Sequence, residues 1–236
     1  MRLPYTPDPP TPTSESEAAI IARITARRAP RPLQPLDLTL LHSPPVADGW
    51  NSFLGAVRTQ TTIPADLREI AISRVAAVNR AWYEWMHHAP LAVQGGVSEQ
   101  GMEVCKGEGE LIVEGGCPEG LTEGQWVVLC FADEMTRNVQ VRDGTFERLR
   151  GLFGEREVVE IVATVSFFLS VFFLGVWFGL DDSLGCCFAP FLVDSGSLSG
   201  GKGAIICLSI YRGEEYSRYA RVRAVITTQI TNIANY

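Results

Sequence analysis

The sequence predicts a protein built of helices, on three observations. Leu67, Ile70, Ala71, Val75 and Val78 recur at helical spacing and draw a single apolar stripe. A second helical run over 81–93 stops at Gly95-Gly96, a pair suited to closing a helix. Further helical patterns span 122–137, 145–152 and 156–164, the second following a turn at Asp143-Gly144.

Residues 1–15, MRLPYTPDPPTPTSE, form a proline-rich arm, and ten of the fourteen prolines fall before residue 46. Proline fixes φ and removes a donor, so this region is expected to be extended apart from a short helix over 17–28. The arm is expected to lie across the surface of its own or a neighbouring subunit. Short helices over 36–41 and 50–57 bring apolar surface to the core, and His42, before Ser43-Pro44-Pro45, reads as a loop histidine. No apolar run follows Met1, so no secretory signal is expected and the chain is read as cytoplasmic. Twenty basic against 27 acidic residues give a net charge of −7, which argues against nucleic acid as a partner. Arg23, Arg27, Arg28 and Arg31 cluster near Glu15 and Glu17 without interleaved aromatics, and read as a solvated helix face.

The chemistry concentrates in residues 67–96, which hold two of the three histidines and two of the five tryptophans. Pro64 suits a first helical turn and Asp66 places negative charge at the positive end of the dipole. Asn79-Arg80 marks a break. Glu84 and His88, four residues apart, share one helix face with Ala81. A carboxylate beside an imidazole raises its proton affinity and fixes its ring, as a general acid/base requires. Glu69 reaches the same spot if the two helices pack antiparallel. Trp82, Tyr83 and Trp85, with Ala81 and His87, are expected to line a substrate pocket and keep water down. Pro90 cannot donate to the carbonyl of Met86, so a kink is expected there. The competing interpretation is a solvated i,i+4 contact worth a few tenths of a kcal/mol.

Residues 98–124 carry seven glycines and seven glutamates. Gly107, Gly109, Gly115 and Gly116 suggest a phosphate loop, but no G-K-[ST] follows and the flanking charge is negative, so anion binding is not expected. The six cysteines, 105, 117, 130, 186, 187 and 207, have no metal spacing and form no C-x-x-C. They are read as reduced thiols, and neither a metal nor a cofactor is expected.

The runs Glu69-Ile70-Ala71-Ile72 and Trp82-Tyr83-Glu84-Trp85-Met86-His87-His88-Ala89-Pro90 resemble the core of the carboxymuconolactone decarboxylase family, which shares its fold with alkylhydroperoxidase D. So do Phe131-Ala132-Asp133-Glu134-Met135-Thr136-Arg137-Asn138, Phe146-Glu147 and Val158-Val159-Glu160. The resemblance covers about residues 50–164 and is to a fungal branch lacking the C-x-x-C motif. It implies an all-α, alkylhydroperoxidase D-like subunit that assembles as a trimer or hexamer, with a small-molecule site near a subunit boundary. The peroxidase-branch motif is a glutamate, then C-x-x-C, then a histidine four residues on. By this resemblance Glu69 takes the glutamate position and His88 the histidine position, while Ala81 and Glu84 stand where the two cysteines would be. A thiolate peroxidase would have no nucleophile there. A glutamate at the second cysteine position is usual in the decarboxylase branch, so acid/base lyase chemistry is the first expectation, with His88 moving a proton, Glu84 orienting it and Glu69 assisting. A peroxide-reducing enzyme using Cys105, Cys117 or Cys130 is the second, and an inactive scaffold the third.

The chain divides into a proline-rich arm (1–49), a helical domain (50–165) and an atypical tail (166–236). Residues 161–180, IVATVSFFLSVFFLGVWFGL, carry no charge and are long enough to cross a bilayer. No basic cluster flanks them and Asp181-Asp182 follow, so a membrane partner is not expected. Family members continue this helix with a pattern resembling A-T-[IV]-x-x-Y-N. Ala163-Thr164-Val165 begins it and Asn235-Tyr236 resumes it, which makes 166–234 read as translated intron. Sequencing the transcript across this region is expected to find a spliced message lacking the run; an unspliced message alone would remove the idea.

Overall fold

A computed structural model describes residues 2–178, and the cysteines at 186, 187 and 207 and the closing Asn235-Tyr236 lie outside the described residues. Among the described residues there are nine α-helices, one 3₁₀ turn at Val113–Gly115 and no strand. In chain order the helices are α1 (Glu15–Arg28), α2 (Pro35–Leu40), α3 (Pro44–Thr59), α4 (Ala65–Asn79), α5 (Trp82–Gly95), α6 (Glu99–Lys106), α7 (Glu123–Asn138), α8 (Asp143–Leu152) and α9 (Glu155–Phe178).

Helix α4 is the centre. An unbroken run from Glu69 to Ala76 is buried, so it is covered on all sides by α5, α6, α7 and α9. This corrects the single-stripe expectation: a helix buried all round needs no polar face. Ile70, Ile72, Val127, Val128, Leu129 and Ile161 are fully or almost fully buried here. Each such side chain contributes about 1.5–3 kcal/mol of burial. Arg80 closes α4 in the left-handed conformation, at φ 56°, and its N–H bonds back to Ala76 and Ala77. Helix α5 then returns antiparallel, its last residue lying against the first turn of α4. A Cβ on Gly95 would stand 2.8 Å from the amide nitrogen of Asp66, so this close approach requires glycine. Helix α5 continues past Pro90 to Gly95.

Caps agree with the sequence. Ser14 caps α1, Ser98 caps α6, and Thr122 with Gln125 forms a reciprocal capping box on α7. Gln125 also donates to Asp66 at 2.8 Å, joining the starts of α7 and α4.

The structure adds to or departs from the sequence reading at four places. The stretch 98–124 contains the eight-residue helix α6, whose Met102 and Cys105 enter the core. Asp143 and Gly144 belong to the first turn of α8 rather than to a preceding turn. The arginines of α1 are only in part a solvated face: Arg28 binds Asp37 through Nε at 2.6 Å and Nη2 at 2.9 Å, while Arg23 pairs with Asp48 at the surface. Asp37 is buried, so those bonds replace the water it has lost. Finally, α9 runs through the expected boundary at 165, with Phe167 and Phe168 packed into the core.

The arm lies on its own chain: Thr6 bonds the Leu38 carbonyl through both N–H and hydroxyl, and His42 Nε2 donates to the Pro4 carbonyl at 2.7 Å. Beneath it Ile20, Ile24, Leu40, Leu41 and Ala47 form a second small core. By length and composition α9 could cross a membrane, and about a third of that apolar segment is buried inside the protein.

Arg74 holds the glycine-rich segment. Its side chain is wholly buried, binds Asp133 at 2.9 and 2.6 Å, and donates to the carbonyls of Cys105, Gly107 and Gly109. These glycines therefore turn carbonyls toward a cation, the reverse of a phosphate loop. Arg74→Met leaves Asp133 buried with only Arg137 and the Leu111 N–H, and is expected to cost about 3–5 kcal/mol in denaturant unfolding.

Candidate active site

His88 lies in the middle of α5 facing α4, its side chain 9% exposed. Antiparallel packing brings Glu69 of α4 to it, with Oε2 2.6 Å from Nδ1. Glu84, one turn earlier on α5, places Oε2 3.5 Å from Nε2. The three residues singled out in the sequence are thus brought together, with the order of the carboxylates reversed. Glu69 makes the short contact, whereas at 3.5 Å Glu84 is a charge partner rather than a well-formed hydrogen bond.

Two arginines bind Glu69. Arg58, in the last turn of α3, places Nη1 3.0 Å from Oε1 and 3.3 Å from Oε2, and Arg68 Nε lies 3.2 Å from Oε1. Arg58 Nη1 is also 3.2 Å from His88 Nδ1. That contact cannot be a hydrogen bond at the same time as the Glu69 one. A carboxylate only accepts, so Nδ1 must carry the proton it donates to Glu69. The Arg58–His88 contact is an approach of two donors, held together by the shared carboxylate.

The electrostatics follow. Burial disfavours the charged imidazole, but the hydrogen bond to Glu69, the contact with the Glu84 carboxylate and the charge of Glu69 outweigh it. The His88 pKa is raised above its ordinary value of 6.5. Burial likewise pushes Glu69 up, and His88, Arg58 and Arg68 together bring it below its ordinary 4.5. The buried pair is therefore carboxylate and imidazolium over the interval between those two values. With Nδ1 committed to Glu69, Nε2 is the nitrogen left for chemistry.

The aromatic residues divide. Trp82 and Trp85 pack edge to face at 6.5 Å, and Trp85 lies against the core. Tyr83 instead pairs with His87, ring to ring at 4.3 Å; His87 is exposed and its Nδ1 donates to the Tyr83 carbonyl. Ala81 is buried at the N-cap of α5. The ring set edge-on against His88, at 5.0 Å, is Phe168 of α9. Arg58, Arg68 and Phe168 are the neighbours that sequence reasoning missed. The only hint was a cation one residue beyond the helix expected over 50–57. A cavity of about 420 Å³ lies elsewhere, lined by Glu110, Glu134 and Arg142 among others, and none of the residues around His88 borders it.

Residues 44–103 match the carboxymuconolactone decarboxylase family. The matched span starts at α3 and ends within α6, shorter than the 50–164 suggested by resemblance, yet it contains Arg58, Glu69, Glu84 and His88. No curated protein matches the sequence significantly. Among solved structures, the apo debrominase Bmp8 aligns over 74% of this chain and 95% of its own, at 15% identity and a TM-score of 0.54. An uncharacterised peroxidase-related protein from Silicibacter sp. TM1040 aligns over 75% and 91%, at 17% identity and a TM-score of 0.53. Protein ATU0492 of Agrobacterium tumefaciens, of unknown function and described as an AhpD antioxidant defence protein, aligns over 61% and 94% at 20% identity, with a TM-score of 0.49. At these identities the likeness to the debrominase and to the peroxidase-related protein is one of fold, an all-α domain.

The linkage signs are opposite for the two partners. His88 has a raised folded pKa, so its stabilisation is full below about 6.5 and is lost as pH rises through the folded value. Glu69 has a lowered one, so its stabilisation is full above about 4.5 and is lost as pH falls through its folded value. NMR titration is expected to put His88 above 6.5, and Glu69→Gln to bring it down because burial remains while the carboxylate goes.

Proposed function

We propose that the protein is a thiol-independent acid/base lyase of the carboxymuconolactone decarboxylase type, acting on a small carboxylated or lactone substrate. The observation that carries this is a buried imidazole held by Glu69 at 2.6 Å on one nitrogen and faced by Glu84 at 3.5 Å on the other. Glu69 orients the ring and supports its positive charge, and Nε2 is the proton donor. When the bond to a substrate carboxylate breaks, carbon dioxide leaves and the electron pair stays on carbon as a carbanion or enolate. The Nε2 proton quenches it, and His88 is recharged from water past the partly exposed Glu84. Phe168, edge-on to His88, is the apolar side chain for a substrate ring, with Trp82, Trp85 and Ala81 of the same helix region beside it in this proposal. Tyr83 and His87, paired ring to ring on the outer side of α5, stand at the edge of the site in this proposal.

The state of the thiols weighs against peroxide reduction. Cys105 is fully buried, and burial pushes its pKa up to about 12. Cys130 is buried and shifted further in the same direction, and the more exposed Cys117 is also raised, by burial and by Glu123. A thiolate is the nucleophile in that chemistry, and all three environments disfavour it. A homo-oligomer, trimer or hexamer, belongs to this proposal; Met86 and Val93, both on α5 and both exposed, suit such a contact.

The test is a screen of carboxylated aromatic and lactone compounds for released carbon dioxide. His88→Ala is expected to lower turnover by about 10²–10⁴-fold. Replacing all six cysteines with alanine should leave it in place. Loss with the cysteine set but not with His88→Ala selects the peroxidase reading, and no turnover of any compound selects an inactive scaffold.

A further inference from the structure

We propose that Arg58 is the group that binds the substrate's carboxylate, through the edge of its guanidinium formed by Nε and Nη2. This rests on the reading of the His88 cluster as a substrate site. Only Nη1 of Arg58 is engaged, by Glu69 at 3.0 and 3.3 Å; Nε and Nη2 have no partner among the described residues. Arginine carries five N–H donors in a rigid plane, so three remain on the Nε/Nη2 edge. That edge has the two-pronged geometry that fits a carboxylate.

Position and charge agree with this role. Nη1 lies 3.2 Å from His88 Nδ1, so the open edge stands within the width of one guanidinium of the ring. The Arg58 side chain is 30% exposed, which gives an incoming anion access. Arg68 also binds Glu69, but it is less exposed, at 17%, and it makes no contact with His88. Charge balance adds a further reason. Among the described residues, Arg58, Arg68 and the imidazolium of His88 pair with two carboxylates, Glu69 and Glu84, which leaves one positive charge to be met by an anion. An anion held there stands on the Nδ1 side of the His88 ring, next to the Glu69–His88 pair.

Binding of benzoate and of benzamide to the full-length protein, measured by calorimetry, tests the proposal without needing turnover. The two probes share a ring and differ in charge. Wild type is expected to prefer benzoate by about tenfold or more, the scale of one well-formed charged pair. Arg58→Gln and Arg58→Lys should both remove most of that preference. The lysine variant keeps a cation beside Glu69 but lacks the planar fork, and its melting temperature shows that the fold is intact. Arg68→Gln should lower the preference by less than Arg58→Gln does. The proposal is overturned if wild type binds both probes equally or neither, if Arg58→Lys retains the full preference, or if Arg68→Gln alone abolishes it. Arg58-dependent benzoate binding with no carbon dioxide release from any substrate would uphold the anion site while removing the lyase reading.

Discussion

The rest of the site depends on one buried contact, Glu69 against His88 across the α4–α5 interface. A carboxylate and an imidazole each lose water on entering a core, and neither is tolerated there unpaired. Here each is the other's principal hydrogen-bond partner, and the arginines at 58 and 68 supply the remaining bonds that an ionised Glu69 can accept. The contact exists only because α5 runs back along α4. That return is made by Arg80 in a left-handed turn at one end and by Gly95 against Asp66 at the other. Backbone geometry at two points outside the site therefore sets the distance at its centre.

Much of the fold was legible, because most helices bury a periodic face and end at recognisable residues. What was hidden is instructive. Helix α6 was obscured by the glycine and glutamate count of its segment, although Ser98 is an ordinary N-cap and Met102 and Cys105 are spaced to enter a core. The depth of α4 could not be read from one stripe, since burial on the remaining faces depends on α6, α7 and α9 arriving from elsewhere in the chain. The arginines of α1 looked solvated because their partners, Asp37 and Asp48, are contributed by α2 and α3.

The site was legible in its members but not in its ranking. Spacing of four residues guarantees that Glu84 and His88 are neighbours; it says nothing about whether they touch or how deep they lie. Glu69, nineteen residues away, turned out nearer because it projects from the most buried helix. Arg58 and Phe168 come from α3 and α9, thirty and eighty positions from His88, and no local pattern ties them to it. Phe168 also lies in the run that looked foreign to the domain. Its packing against His88 gives the first residues of that run a structural role whatever the origin of the rest.

The positions that hold thiols in the peroxidase branch show how the same scaffold supports different chemistry. The N-terminal end of α5 carries the positive end of the helix dipole, an environment that activates a thiolate. Ala81 occupies its cap and Glu84 its first turn, so that field faces a methyl group and a carboxylate instead of sulfur. A carboxylate cannot be oxidised and re-reduced as a thiol pair can, but it can hold a charge beside Nε2 and pass protons to water. With the three described thiols shifted away from their reactive form, two of them buried in the core, the groups left for chemistry at this interface are those that move protons.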